Sequence, residues 1–128
     1  MITNQGLLYI EPGGPRSASP VMDELTMVMA AALRQSETGT GFGDGFKPGD
    51  SYPHAHICTC GAQSTNTTHR LPDGQITNSL ATHYLTWHRS EVSAEQLAHV
   101  KALRAVVSPV YPTFDEMNGV YAPNPGCL

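Results

Sequence analysis

The chain has 128 residues, of which 40% are apolar or aromatic and only 14% are charged, and its formal net charge is −4. A chain of this length is expected to form one domain, residues 1–128, that buries roughly two-thirds of its unfolded surface. The negative charge argues against broad, non-specific nucleic-acid binding, which depends on neutralising phosphates. The longest apolar stretch, residues 21–33, is too short and too acidic to span a bilayer.

The start of the chain predicts a short strand and shows no export signal. Residues 1–6 lack both the basic and the apolar region of a signal peptide, which predicts a cytoplasmic protein. In a reducing cytoplasm, closely spaced thiols bind metal more often than they form disulfides. Residues 6–10 are typical of a strand that ends at a Pro-Gly-Gly turn. Cys127 lies in a proline-rich tail and is expected to take no part in a site.

A buried helix is predicted over residues 21–33. Ser19 can cap it, Pro20 suits its first position, and Asp23 and Glu24 favour its positive end. The segment has almost no polar face, and such a helix is buried on several sides. It is either a central core helix or the interface of a homo-oligomer such as a homodimer. The predicted interface residues are Met22, Leu25, Met29 and Leu33.

Residues 38–50 form a glycine-rich segment that contains Gly-x-Gly-x-Gly. A loop that binds phosphate requires a strand before it and a helix after it, and the sequence predicts neither here. We therefore interpret the segment as a flexible connector that Phe42 and Phe46 anchor.

Two cysteines carry the clearest chemical signal. His54, His56, Cys58 and Cys60 alternate, so in a strand they would share one face. The ends of that run would lie about 20 Å apart at roughly 3.3 Å per residue, so all four cannot bind one ion. Gly61 allows a turn that brings Cys58 and Cys60 together, as in a zinc knuckle with a shortened spacer. This pair supplies half of a tetrahedral zinc site.

Two histidines on a following helix, expected over residues 79–89 with Thr77 or Asn78 as its cap, complete the predicted site. His83 and His88 are five residues apart, and an ideal helix separates such a pair by about 140° and 7.5 Å. Histidines at this spacing bind structural zinc where the helix tightens or frays. The predicted ligands of the cofactor, Zn2+, are Cys58, Cys60, His83 and His88, with His56 or His69 as alternates for one helical histidine.

The same residues permit simpler interpretations. His83 would then pack beside Trp87, His88 would lie at a helix C-terminus, and the two cysteines would be small buried side chains. A catalytic metal would require an open coordination position and a nearby base. Glu91 is the only acid close in sequence to the helical histidines, and no His-Glu-x-x-His pattern is present. A nucleophilic Cys60 paired with a histidine is a further alternative.

The remaining segments predict a hairpin and a third helix. Residues 69–77 contain a central Pro-Asp-Gly turn, which predicts the hairpin. The third helix begins at a capping box formed by Ser93 and Gln96 and stops at Pro109. Its apolar face consists of Leu97, Val100, Leu103 and Val107.

A second capping box, Thr113 with Glu116, predicts a single-turn helix that ends at Gly119. The order of elements predicts an α+β fold in which short β-hairpins and a zinc-knuckle-like site pack against three helices. Within this one domain, residues 1–50 hold the strand, the Met-rich helix and the glycine-rich segment. Residues 51–107 hold the metal-binding core, and residues 108–128 hold the C-terminal turn and tail.

A small basic face is predicted between residues 54 and 104, where bases slightly outnumber acids. We consider its members candidate DNA contacts, and the alternative is an ordinary solvated face. These candidates are Arg70, Arg89, Lys101 and Arg104.

The stretches CTCGAQS (residues 58–64), TNSLATHY (77–84) and HRSEV (88–92) resemble small, uncharacterised zinc-site proteins carried by bacterial plasmids and phages. The resemblance covers about half of the chain, residues 56–107. It implies an accessory role in a mobile genetic element, through contact with DNA or interference with a host protein. We therefore expect a zinc-stabilised, non-enzymatic binding or regulatory module. The alternatives are an inhibitor or adaptor that binds a host protein, and a metal-dependent hydrolase.

Overall fold

The computed structural model describes residues 6–58 and 60–119, which form four helices and one four-stranded antiparallel sheet. The helices are α1 (Glu24–Arg34), α2 (Ala81–Trp87), α3 (Ala94–Ala102) and α4 (Phe114–Asn118). The strands are β1 (Glu37–Thr40), β2 (Lys47–Pro48), β3 (Thr68–Arg70) and β4 (Ile76–Thr77), in the spatial order β2-β1-β3-β4. The predicted α+β class is confirmed. The prediction for Cys127 falls outside the described residues.

Helix α1 begins later than the sequence indicates, because Asp23 rather than Ser19 is its N-cap. The Asp23 carboxylate accepts a hydrogen bond from the Thr26 amide at 3.2 Å, which satisfies one free N–H of the first turn. The same carboxylate also accepts two hydrogen bonds from the Arg89 guanidinium, at 2.6 and 2.7 Å. Asp23 therefore ties the start of α1 to the segment that follows α2.

The core forms where α1, α2 and α3 pack together. Its fully buried members include Leu8, Met29, Tyr84, Leu85 and Val100. Helix α1 thus fills the role of a core helix, one of its two predicted roles. No helix of the described residues is long and apolar enough to cross a membrane.

The four residues predicted for an oligomer interface differ in burial. Met29 is fully buried by this chain itself, whereas the other three keep part of their surface exposed. These three are Met22, Leu25 and Leu33. Formation of a homo-oligomer stays a prediction.

The glycine-rich segment is a hairpin, so the prediction of a flexible connector is wrong. Strands β1 and β2 pair antiparallel, with Gly39 opposite Pro48. A Cβ on Gly39 would collide with the Lys47 backbone, so glycine permits this close approach of the two strands. The two predicted anchors are confirmed: Phe46 is buried, and the Phe42 ring packs edge-on against Tyr9 with centroids 5.3 Å apart.

The expected N-terminal strand is reduced to a single parallel bridge between Leu7 and Thr77. At Leu8, two side chains provide the backbone hydrogen bonds that a neighbouring strand would otherwise provide. The Asn78 amide donates to the Leu8 carbonyl at 2.9 Å, and the Gln96 side-chain oxygen accepts from the Leu8 N–H at 2.7 Å. The Gln96 side-chain oxygen is therefore not available to complete the predicted capping box. The Ser93 hydroxyl still accepts a hydrogen bond from the backbone N–H of Gln96.

Two helices are shorter than the sequence indicates. Helix α2 spans Ala81–Trp87 rather than residues 79–89, and its N-cap is Leu80 rather than Thr77 or Asn78. The Asn78 side chain accepts a hydrogen bond from the Leu80 amide at 2.8 Å instead. Helix α3 ends at Ala102, before the predicted stop at Pro109, and a 3-10 turn follows over Leu103–Ala105.

The predicted hairpin and the second capping box are confirmed. Strands β3 and β4 form the hairpin expected over residues 69–77, with Arg70 opposite Ile76. Thr113 and Glu116 form a complete capping box at the start of α4, and Gly119 ends that helix in the left-handed conformation, with φ +66°. Helix α4 packs against α2, and this contact brings it to the histidines described below.

Candidate metal centre

A tight turn brings the two cysteines together. Ile57 bridges to Gln63, the Cys58 amide donates to the Ala62 carbonyl at 2.7 Å, and the Gly61 amide donates to the Cys58 carbonyl at 2.8 Å. Gly61 adopts φ +99°, a backbone conformation that strongly favours glycine. The Sγ atoms of Cys58 and Cys60 lie 3.5 Å apart and are not joined by a disulfide bond. The turn expected at Gly61 is confirmed.

The two histidines come from the end of α2. His83 lies within the helix, whereas His88 follows its last residue and has φ −128° and ψ 32°. The His88 backbone no longer follows the helical rotation. Its side chain is therefore not held at the separation of about 140° and 7.5 Å that an ideal helix would impose on this pair. Both side chains are buried, and their ring centroids lie 5.2 Å apart.

The four side chains converge on one point. The Sγ of Cys60 lies 3.2 Å from Nε2 of His83, and the Sγ of Cys58 lies 3.6 Å from Nε2 of His88. One ligand atom from each residue lies within 4.8 Å of all the others. A tetrahedral zinc ion implies edges of about 3.8 Å between sulfurs and about 3.5 Å between sulfur and nitrogen. The predicted set Cys58, Cys60, His83 and His88 is therefore close enough to hold a metal ion.

A neighbouring carbonyl determines which nitrogen His83 presents to the cysteines. Nδ1 of His83 lies 3.0 Å from the Met117 carbonyl, which can only accept, so Nδ1 donates and Nε2 keeps its lone pair toward the sulfurs. Nδ1 of His88 is buried 3.7 Å from the Glu91 carboxylate and has no hydrogen-bond partner among the described residues. Orientation of a ligand imidazole by a backbone carbonyl, as at His83, is typical of metal sites.

The site also favours the protonation states that a metal requires. Burial lowers the pKa of His83 to about 4, although the Met117 carbonyl acts in the opposite direction. Burial likewise lowers the pKa of His88, against the attraction of Glu91. Burial alone would raise the pKa of the Cys60 thiol, but hydrogen bonds from Ala62 and Arg16 contribute to a net lowering. Neutral imidazoles and a readily ionised thiol are the forms that bind metal.

Three residues at the site were not predicted from the sequence. Arg16 donates to Cys60 Sγ at 3.4 Å and to the Asn118 side chain at 2.9 Å, and Met117 supplies the carbonyl that orients His83. Arg16 is 44 residues from Cys60 and 102 residues from Asn118. No local pattern in the sequence indicates contacts over such separations.

Neither alternate ligand belongs to this group. His56 is exposed, with Nε2 3.7 Å from a Glu11 carboxylate oxygen. His69 is buried in β3, where its two ring nitrogens lie 2.8 Å from the Ser36 hydroxyl and 3.3 Å from the Thr65 hydroxyl.

The candidate DNA contacts are engaged mostly within the chain. Arg70 pairs with Glu37, Arg89 with Asp23, and Arg104 with Glu24. Lys101 is exposed on α3 and forms no ion pair among the described residues. Contact of these four residues with DNA stays a prediction.

Comparisons with models of known protein families, with curated proteins and with solved structures found no match to this chain. The donor set and its geometry are therefore the basis for assigning a role to the site.

Proposed function

We propose that the protein is a zinc-stabilised, non-enzymatic binding module. The observation that carries this proposal is the convergence of Cys58, Cys60, His83 and His88, whose ligand atoms lie within 4.8 Å of one another. Two thiolates and two imidazoles favour zinc, and four protein ligands leave no coordination position for a substrate. A closed set of this kind supports a structural role and argues against the metal-dependent hydrolase.

The metal would tie three separate parts of the chain together. The cysteines belong to the turn around Gly61, the histidines belong to the end of α2, and His83 also contacts α4 through Met117. Such a link would suit a chain whose helices and strands are as short as these. A reducing compartment such as the cytoplasm would keep both thiols available.

Metal analysis of the purified protein tests this proposal. We expect one zinc ion per wild-type chain, and we expect Cys60→Ser and His83→Ala to lose zinc and to unfold at a lower temperature. His56→Ala is the matched control, because His56 is an exposed histidine outside the group, and it should keep its zinc. Wild-type protein that folds without metal and is unaffected by a chelator would contradict the proposal.

The target of the module is proposed from the sequence pattern and the resemblance to plasmid and phage proteins. Contact with DNA through Arg70, Arg89, Lys101 and Arg104 would compete with the ion pairs of the three arginines. DNA binding should then appear as a mobility shift that weakens steeply with salt. The absence of a shift at low salt on mixed-sequence duplexes would leave a host protein as the proposed target.

A further inference from the structure

Arg16 is a positively charged side chain that lies next to the metal-binding group. Its Nε lies 3.4 Å from the Sγ of Cys60, and the residue is only partly exposed. The other four arginines each pair with a carboxylate; these are Arg34, Arg70, Arg89 and Arg104. Arg16 instead directs its donor at a cysteine sulfur, which is an acceptor of useful strength only as a thiolate.

Two further contacts hold the Arg16 side chain in place, and a third fixes the backbone beside it. One terminal nitrogen donates to the Asn118 side chain at 2.9 Å, and the guanidinium lies 5.6 Å from the centroid of the Trp87 ring. The next residue, Ser17, donates its amide to the Trp87 carbonyl at 2.9 Å. The guanidinium is thus positioned by α4 and by the end of α2, the same elements that position His83.

We propose that Arg16 is a positioning residue of the metal centre, which holds the Cys60 thiolate in its ligand geometry and thereby raises the affinity for zinc. This inference rests on the proposed zinc site. A hydrogen bond to a thiolate withdraws electron density from sulfur and restricts its rotation. Loss of such an outer partner typically weakens metal binding by about 10- to 100-fold.

The test compares Arg16→Gln with two controls. Arg16→Lys keeps the charge but loses the planar group that spans Cys60, Asn118 and Trp87. Its zinc affinity should therefore lie between those of Arg16→Gln and the wild type. Arg104→Gln removes an exposed arginine that pairs with Glu24. It should match the wild type in zinc affinity and in cobalt–thiolate absorption. Zinc affinity is measured by competition with a chromophoric chelator, and the environment of the sulfurs is measured by the cobalt–thiolate absorption of Co2+-substituted protein.

We expect Arg16→Gln to bind zinc about 10-fold or more weakly and to shift the cobalt–thiolate band to longer wavelength, because the sulfur becomes more electron-rich. A merely structural role would not move this band. Unchanged affinity with an unchanged band would overturn the inference while leaving the zinc site intact. Equal losses in Arg16→Gln and Arg104→Gln would also overturn it, and a wild-type protein that binds no metal would overturn both proposals.

Discussion

Three buried histidines, His69, His83 and His88, differ in what their ring nitrogens face. His83 and His88 direct Nε2 at cysteine sulfurs, whereas His69 contacts the hydroxyls of Ser36 and Thr65. Burial lowers the pKa of His69 to about 4, so its neutral form belongs to the folded state. At the scale of the residue, the partners of the ring nitrogens separate a candidate ligand from a structural histidine.

His69 should make stability depend on pH in the acidic range. Its folded pKa, about 4, lies below the ordinary value of 6.5, so the unfolded chain takes up the proton first as the pH falls. The contribution of neutral His69 to the free energy of unfolding is complete above about pH 6.5 and is lost toward pH 4. Over that range the free energy falls by at most about 1.4 kcal/mol per pH unit. We expect the difference in unfolding free energy between wild type and His69→Gln to shrink over this range, as measured by urea denaturation.

Metal release in acid affects wild type and His69→Gln alike, so the difference between them isolates His69. A difference that stays constant between pH 7 and pH 5 would show that His69 does not titrate on unfolding. A difference that grows as the pH falls would contradict the stated sign.

At the scale of the element, the turn that carries the cysteines depends on one backbone conformation. Gly61 has φ +99°, yet a Cβ built on it would meet no atom within 4 Å. A side chain at position 61 would therefore clash with no neighbouring atom, and its cost would come from backbone strain alone. Gly45 offers a matched comparison, since a Cβ on it also meets nothing within 4 Å and its φ lies outside the positive region.

We expect Gly61→Ala to lower the unfolding free energy by about 1–2 kcal/mol and to weaken zinc binding, because the turn sets the distance between the two sulfurs. Gly45→Ala should change stability by about 0.5 kcal/mol or less and leave the affinity for zinc unchanged. Denaturant unfolding and chelator competition measure the two quantities. Similar zinc affinities for the two variants would show that the turn tolerates another conformation.

Helix α1 and the residues just before it provide a second comparison, between a core methionine and a partly exposed one. Met29 is fully buried, so Met29→Ala should cost about 2–5 kcal/mol of stability. Met22 precedes the helix and is partly exposed, so Met22→Ala should cost about 1 kcal/mol or less. Denaturant unfolding with light scattering measures stability and mass together. If Met22→Ala costs as much as Met29→Ala and lowers the mass, a second copy covers Met22.

At the scale of the whole molecule, the metal-binding group links the turn around Gly61 to α2, and α2 packs against α4. The turn around Gly61 contributes the cysteines, α2 contributes the histidines, and α4 supplies the Met117 carbonyl. The sheet of β1, β2, β3 and β4 has its own ladder of hydrogen bonds. Removal of the metal should therefore loosen the turn around Gly61, α2 and α4 before it affects the sheet.

Hydrogen exchange with and without a chelator tests this difference. We expect faster exchange in α4 and around residues 58–62 after metal removal, because their anchor is lost. The amides of β1 and β3 should keep most of their protection. A uniform rise across the chain would contradict a local tie, and no change anywhere would contradict a structural metal.

The features predicted from sequence are those that depend on near neighbours along the chain. The turn at Gly61, the Thr113–Glu116 capping box and the hairpin over residues 69–77 were all predictable, because a few adjacent residues determine each of them. The glycine-rich segment was misinterpreted, since its pairing as β1 and β2 depends on how closely two backbones can approach.

The sequence by itself determined the candidate donors, two thiols one residue apart and two imidazoles near a helix end with His56 or His69 as alternates, because residue type and spacing indicate which side chains can share a metal. Only the tertiary structure decided that His56 and His69 lie outside the group and that Arg16 and Met117 lie beside it. Those contacts join residues far apart in the chain. Packing of α2 against α4, rather than any local propensity, brings Met117 to His83.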